Sequence, residues 1–569
     1  MSLALPSHAE DVKHWQWEQF EPFYAELQTR TLSADGVQQW LKDWSQLSNL
    51  LSEVFARARL ANTQNTADEE AEAYLKNLLV TIFPPMSKAE NALNKKLLES
   101  GFQPDGFEVP LKNIRADFDL FREENLELLT RTQALGMEYG KITGAQTVTW
   151  NGEEVTLQEL QKVYEDQDRA TRERAYRLSV DAWLKNREAI NDVWMKLFQA
   201  RQQIAANAGM NNFREYVWMQ RKRFDYTPDD CATFHNAIEQ VVVPAAQRIL
   251  EKRRTALGYD TLRPWDLSVD PEGRPPLRPY ETLDEFEEKA EMIFRRVDPR
   301  IGDYFATMRR ERLLDLPNRK NKRVGAYCTR FATAQRPFIF MNAVGTQGDI
   351  RTLLHEAGHA FHGFEVVRLP YAQQQGYPIE FAEVASMSME LLAAPYLTQD
   401  EGGFFSPEEA ARDRILHLEK IVLFWPYMAV VDAFQQWAYT HNDAALNPAE
   451  CDAAWGELWT RFQPGVDYTG LEDYRVTGWH RKQHIFLYPF YYVDYGLAQL
   501  GAVQVWANAL QDQAKAVEQY LHGLSLGYTA SLPQLYAATG ATFAFDVDTM
   551  GKAVELIEGT ISDLERQLA

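Results

Sequence analysis

His355-Glu356-Ala357-Gly358-His359 puts two imidazoles and a carboxylate within five residues. On a helix the two histidines stand one turn apart on one face, which is the arrangement of a zinc site that carries its own general base. Neutral imidazole suits Zn²⁺, and a catalytic zinc takes three protein ligands and keeps one position open, so a third ligand must come from elsewhere in the chain. Such an ion supplies Lewis acidity toward a carbonyl. Glu356 would then take a proton from water and return it to the leaving amine.

The flanking residues decide whether a helix is there to present the motif. Ile350, Leu353, Leu354, Ala357, Ala360, Phe361 and Phe364 follow helical apolar spacing, which predicts an amphipathic helix with Asp349 as its N-cap. His355, His359 and His362 fall together on the opposite face, away from the core stripe. Downstream, Pro378 precedes a second helical run carrying Glu380, Glu383 and Glu390. Glu383 and Glu390 share a face, but two turns separate them by about 10.5 Å, so one ion cannot use both. Glu380 is one turn from Glu383, and spacing leaves the choice among the three acids open.

Leu354-His355-Glu356-Ala357-Gly358-His359-Ala360-Phe361-His362, followed by Phe381-Ala382-Glu383-Val384-Ala385-Ser386-Met387, resembles the thimet oligopeptidase/oligoendopeptidase F family of zinc peptidases, family M3. Pro337-Phe338-Ile339-Phe340-Met341-Asn342-Ala343 and Pro489-Phe490-Tyr491-Tyr492-Val493-Asp494-Tyr495 resemble the oligoendopeptidase F branch. The likeness is clearest over roughly residues 320–500. It implies that Glu383 is the third ligand of one zinc ion per chain. It also implies that Glu380 acts behind the ligands, where a carboxylate can fix the tautomer of a metal-bound imidazole. Glu390 reads as an ordinary helix acid.

In the resembled family a histidine and tyrosines near the second of these stretches bind substrate and stabilise the transition state. His484 is the match here, followed by Tyr488, Tyr491, Tyr492 and Tyr495. The histidine-to-tyrosine spacing differs from that of the thimet branch and leaves all four tyrosines open. Pro489 fits the first turn of a helix, which would put Tyr491 and Tyr495 on one face and favours those two. Arg336-Pro337-Phe338-Ile339-Phe340-Met341-Asn342 reads as a short buried strand. The resemblance adds that its edge could pair with an extended peptide through main-chain hydrogen bonds.

Composition bounds what remains. At 569 residues the chain exceeds the range of a single growing core, so two or more lobes are expected. Hydrophobic residues at 45% and charged residues at 25% exclude global disorder. The formal charge of −22, from 81 acids against 59 Lys+Arg, argues against nucleic-acid or anionic-membrane partners. Cys231, Cys328 and Cys451 are odd in number and lack metal-ligand spacing, which argues against a disulfide scaffold. Met1–Asp11 has no basic n-region, and no apolar stretch approaches a membrane span, so the expected location is cytoplasmic.

Along the chain, residues 1–140 read as an N-terminal helical region broken at Pro84-Pro85 and around Gly101–Gly106. Residues 141–320 form a second helical region. It opens with a hairpin at Thr147–Val155 around Asn151-Gly152, followed by a Thr156/Glu159 capping box. It also contains a Pro-rich connector, 264–279, expected to cross a surface. Residues 321–569 carry the zinc motif and a small mixed sheet near 320–345. The expected fold is mainly α: a zincin-type catalytic lobe, a second helical lobe and, from the resemblance, a substrate channel between them.

The expected function is zinc-dependent cleavage of internal bonds in short oligopeptides. A dipeptidyl carboxypeptidase, another zinc amide hydrolase or a non-catalytic helical peptide-binding scaffold are the alternatives. Glu356 argues against the scaffold, because a closed structural site has no use for a base beside an open position.

Overall fold

The computed structural model describes residues 5–568; the first four residues of the stretch Met1–Asp11 lie outside them. Helices dominate. The N-terminal helices Trp17–Thr29, Val37–Gln64, Phe83–Ser100 and Glu108–Leu120 pack around their own apolar centre of Phe20, Tyr24, Trp40, Trp44, Leu93 and Leu97. Pro84 and Pro85 redirect the helical path without ending it. They occupy the first turn of Phe83–Ser100, directly after a π turn at Leu78–Ile82, where a missing N–H costs little. Gly101 does end that helix, in the left-handed conformation at φ 69°.

The hairpin forms as expected. Thr147–Trp150 pairs antiparallel with Glu153–Thr156, and Asn151 and Gly152 take positive φ of 52° and 91° at the turn. Thr156 and Glu159 then make the capping box. The Pro-rich stretch differs from expectation at its start: Pro264, Trp265 and Asp266 are buried. The reason is the Arg172 guanidinium, itself fully buried, which needs a carboxylate inside the fold and finds Asp266 at 2.9 Å.

The second, larger core holds the motif helix Gln347–Val366, the helix Ile379–Ala393, the long helix Pro407–Ala438 and the helix Tyr492–Gln511. Asp349 is not the N-cap of the motif helix. That position belongs to Thr346, with Asp349 three residues on as its capping-box partner, accepting from the N–H groups of Thr346 and Val344. The helix is also buried more widely than one stripe requires, because a three-stranded mixed sheet covers part of it.

In that sheet Arg336–Ala343 is the central strand, parallel to Leu314–Pro317 and antiparallel to Tyr327–Phe331. Its own edges are therefore taken. The outer strands Leu314–Pro317 and Tyr327–Phe331 each keep one edge without a strand partner among the described residues, and this corrects the expectation that Arg336–Asn342 offers an edge. Among the described residues no helix is long and apolar enough to cross a membrane. All three cysteines are unpaired.

Candidate metal and catalytic centre

His355 and His359 project from the motif helix toward Glu383 on the helix Ile379–Ala393. One ligand atom from each of the three lies within 4.8 Å of the others. Glu383 Oε2 is 3.3 Å from His355 Nε2 and 3.6 Å from His359 Nε2. The helices approach this closely because Gly358 has no side chain. Glu383 is held from both sides: Tyr491 donates its hydroxyl to Oε1 at 2.9 Å, and Ser386 donates to Oε2 at 3.0 Å.

The charge states suit a metal. Burial opposes ionisation of Glu383, but the two facing histidines and the Tyr491 hydroxyl outweigh it and bring its pKa down to about 2. Burial lowers His359 to about 4, which keeps it neutral at neutral pH. Burial also disfavours the His355 imidazolium, yet its two carboxylate neighbours, Glu383 and Glu390, raise its pKa. Positive charge is thus favoured at the point where the three ligand atoms converge, which is where a divalent cation would supply it. Two imidazole nitrogens and one carboxylate oxygen with an open side fit a catalytic zinc.

Glu356, between the histidines, is buried, and its Oε2 has no hydrogen-bond partner. Burial raises its pKa to about 7, with Glu383 and Glu390 adding to the rise and His355 opposing it. A carboxylate poised near neutrality is suited to accept and return a proton. It lines a cavity of about 340 Å³ with His355, His359 and Glu383. Tyr491, Tyr495 and residues 327–330 of the strand Tyr327–Phe331 also line that cavity.

The tyrosine run is placed by a turn rather than by a proline-led helix. Pro489 precedes the helix, whose N-cap is Tyr491. Phe490 holds φ 59°, an uncommon conformation for a residue with a side chain. Three partners fix it: Arg221 donates to the Pro489 carbonyl at 3.0 Å, Arg223 to the Phe490 carbonyl at 2.5 Å, and the Phe490 N–H donates to Gln435 Oε1 at 2.8 Å. Tyr491 and Tyr495 then face the cavity with ring centres 5.0 Å apart. Tyr488 is 47% exposed, and Tyr492 accepts from Lys482 Nζ at 3.0 Å outside the cavity. His484 sits behind, its ring 6.0 Å from those of Tyr491 and Tyr495, and burial lowers its pKa to about 4.

Three readings of the sequence change. His362 does not join the other two histidines: it is fully buried, stacked on Tyr377 at 3.6 Å, because the helix turns it under the loop before Ile379. Glu380 does not touch an imidazole; it accepts from Tyr226 at 2.6 Å and Arg223 at 3.3 Å in a buried charge cluster. Glu390 takes the place expected of Glu380. Its Oε1 lies 2.8 Å from His355 Nδ1 and its Oε2 3.1 Å from His417 Nε2. The signal was the shared face of Glu383 and Glu390: a residue two turns from a ligand cannot reach the same ion but can reach the far side of the first histidine.

With this geometry in place, comparison with known proteins identifies the chain. The profile of Peptidase family M3 matches residues 163–549, and that of the Peptidase M3 N-terminal domain matches residues 10–108. The chain belongs to peptidase family M3.

Among relatives of this M3 chain, an oligoendopeptidase F homolog of Lactococcus lactis is 24% identical over 339 residues, covering 57% of this chain and 52% of the relative. Oligopeptidase PepF of Bacillus subtilis is 24% identical over 295 residues, covering 50% and 42%. The chain thus spans about half the length of the curated relatives it matches. Among solved structures, Pz peptidase A with an inhibitor superposes at a TM-score of 0.87 and 28% identity, covering 99% of both chains. Oligoendopeptidase-F from Enterococcus faecium shares the fold at a TM-score of 0.62 and 16% identity, over 98% of this chain and 99% of that one.

Proposed function

We propose that the chain is a zinc-dependent endopeptidase that cuts internal bonds of short oligopeptides. The observation that carries this reading is the convergence of His355, His359 and Glu383 beside Glu356, on a cavity walled by a free strand edge. His355, His359 and Glu383 would hold one zinc ion. When bound, the ion supplies Lewis acidity toward the scissile carbonyl and toward water. Glu356 accepts the proton of the attacking water and passes it to the leaving nitrogen. Tyr495 offers its hydroxyl proton to the oxyanion as it forms, Tyr491 does so by turning its proton away from Glu383 Oε1, and neutral His484 is a further donor behind them.

The free edge of Tyr327–Phe331 offers main-chain donors and acceptors to an extended peptide. That kind of binding orders the substrate without demanding one side-chain sequence. That edge lines the same cavity as the three ligand candidates, which a short flexible peptide can enter in extended form, so short peptides are the substrate class we assign. We assign the reaction to the cytoplasm, where unpaired cysteines are usual, with neither nucleic acid nor membrane as partner. Metal-replete protein incubated with a peptide mixture should give internal cuts, read by mass spectrometry. Stepwise release of dipeptides from the C-terminal end, or no cleavage at all, would overturn the endopeptidase reading.

A further inference from the structure

Arg351 and His355 stand one turn apart on the motif helix, and Asp413 and His417 stand one turn apart on the helix Pro407–Ala438. The two pairs face each other. Arg351 Nη2 donates to Asp413 Oδ2, while Arg351 Nη1 lies 2.8 Å from His417 Nδ1. His417 Nε2 lies 3.1 Å from Glu390 Oε2, and Glu390 Oε1 lies 2.8 Å from His355 Nδ1.

The direction of every bond in this chain follows from its first member. Arginine stays protonated and only donates. His417 Nδ1 must therefore accept, which puts the His417 proton on Nε2, pointing at Glu390. A carboxylate only accepts, so His355 must carry a proton on Nδ1. With Nδ1 committed to Glu390, His355 Nε2 is the nitrogen turned toward Glu383, 3.3 Å away, and the one that can give up its proton to a metal. Asp413 keeps Arg351 in place; its side chain is 2% exposed, and it also accepts from Gln347.

We propose that Arg351 is a positioning residue whose fixed donors set the tautomers of His417 and His355 in turn, so that His355 presents Nε2 to the metal. The proposal rests on the reading of His355 as a ligand, and its test separates the two. In full-length protein with ¹⁵N-labelled histidine, NMR should show His355 protonated at Nδ1 and His417 at Nε2. Arg351→Met should release the His417 tautomer and weaken zinc by about 10-fold, the low end for outer-shell partners.

Arg351→Lys keeps a charged donor and should restore most of the affinity. His417→Gln offers an acceptor toward Arg351 and a donor toward Glu390 and should hold zinc, whereas His417→Leu should not. Equal losses in His417→Gln and His417→Leu, or the opposite tautomer at either histidine, would overturn the proposal. Unchanged zinc affinity in Arg351→Met would do the same. His359→Ala is the control for the ligand reading: zinc retained there would sink that reading and leave the tautomer assignment standing on the NMR result.

Discussion

Gly358 and Ala385 meet backbone to backbone: a methyl group on Gly358 would stand 2.6 Å from the Ala385 carbonyl oxygen. The two helices that carry the three ligand candidates can lie this close only because the residue between the histidines lacks a side chain. Gly358→Ala should force them apart. Overpacking of this kind costs about 1–3 kcal/mol, and the displaced Glu383 should bind zinc more weakly. A thermal melt and a chelator-competition titration measure both effects, and wild-type values in both would mean that the helix spacing is elastic.

Glu356→Gln keeps the shape of the side chain but cannot accept a proton. Zinc content should stay at the wild-type level while turnover falls by about 10²–10⁴-fold, the range that general-base work supplies. Loss of zinc from this variant would make Glu356 a ligand.

The three acids of the helix Ile379–Ala393 should separate by metal content and stability. Glu383→Ala should strip zinc. Glu390→Ala removes the acceptor of His355 Nδ1 and should weaken zinc by about 10–100-fold. Glu380→Ala should leave zinc affinity near wild type and instead destabilise the fold by up to about 3 kcal/mol, because Arg223 loses one of its buried partners. Zinc titration together with urea unfolding distinguishes the three outcomes.

Much of this centre was legible in the sequence. The motif spacing and the apolar stripe gave the helix and both histidines, and Asn151-Gly152 gave the hairpin. What escaped was set by contacts between distant segments. The roles of Glu380 and Glu390 depend on Arg223 and His417, neither of which has a fixed sequence offset from them. The free strand edge depends on Leu314–Pro317 taking the other side of Arg336–Ala343. Pro489 does not lead the helix, as its position in the sequence suggests; Tyr491 and Tyr495 reach the cavity through the turn that Arg221 and Arg223 pin at Pro489 and Phe490.

Tyr491→Phe and Tyr495→Phe should differ in one respect. Both should lower kcat by about 10²–10³-fold with little change in KM, as loss of an oxyanion donor does. Only Tyr491→Phe should also loosen zinc, since its hydroxyl orients Glu383. His484→Ala should follow the Tyr495 pattern. Near-neutral kinetics in all three variants, with zinc intact, would assign the run to packing.

His480 gives a pH dependence of stability. Burial first, then the nearby Arg481 and Arg187 charges, lower its pKa to about 3, and it is hydrogen-bonded to Asn191 Oδ1 at 2.8 Å. The folded state binds this proton less readily than the unfolded chain, whose histidine titrates near 6.5. Its stabilising contribution is complete above about 6.5 and declines as pH falls toward about 3, by up to about 1.4 kcal/mol per pH unit. His480→Gln should make unfolding free energy less steep across that window. An unaltered slope would count against the assignment.

The reacting groups are scattered along the chain. The free-edged strand begins at Tyr327, the motif lies at 355–359, the third ligand candidate is Glu383, and the tyrosine that grips it is Tyr491, 108 residues further on. A growing polypeptide leaving the ribosome therefore holds the two histidines and Glu356 long before it holds Tyr491 and Tyr495. On the proposed reading, the centre is complete only when synthesis has passed residue 495 and the helices that carry these groups have packed, so the order of translation delays the assembly of the site.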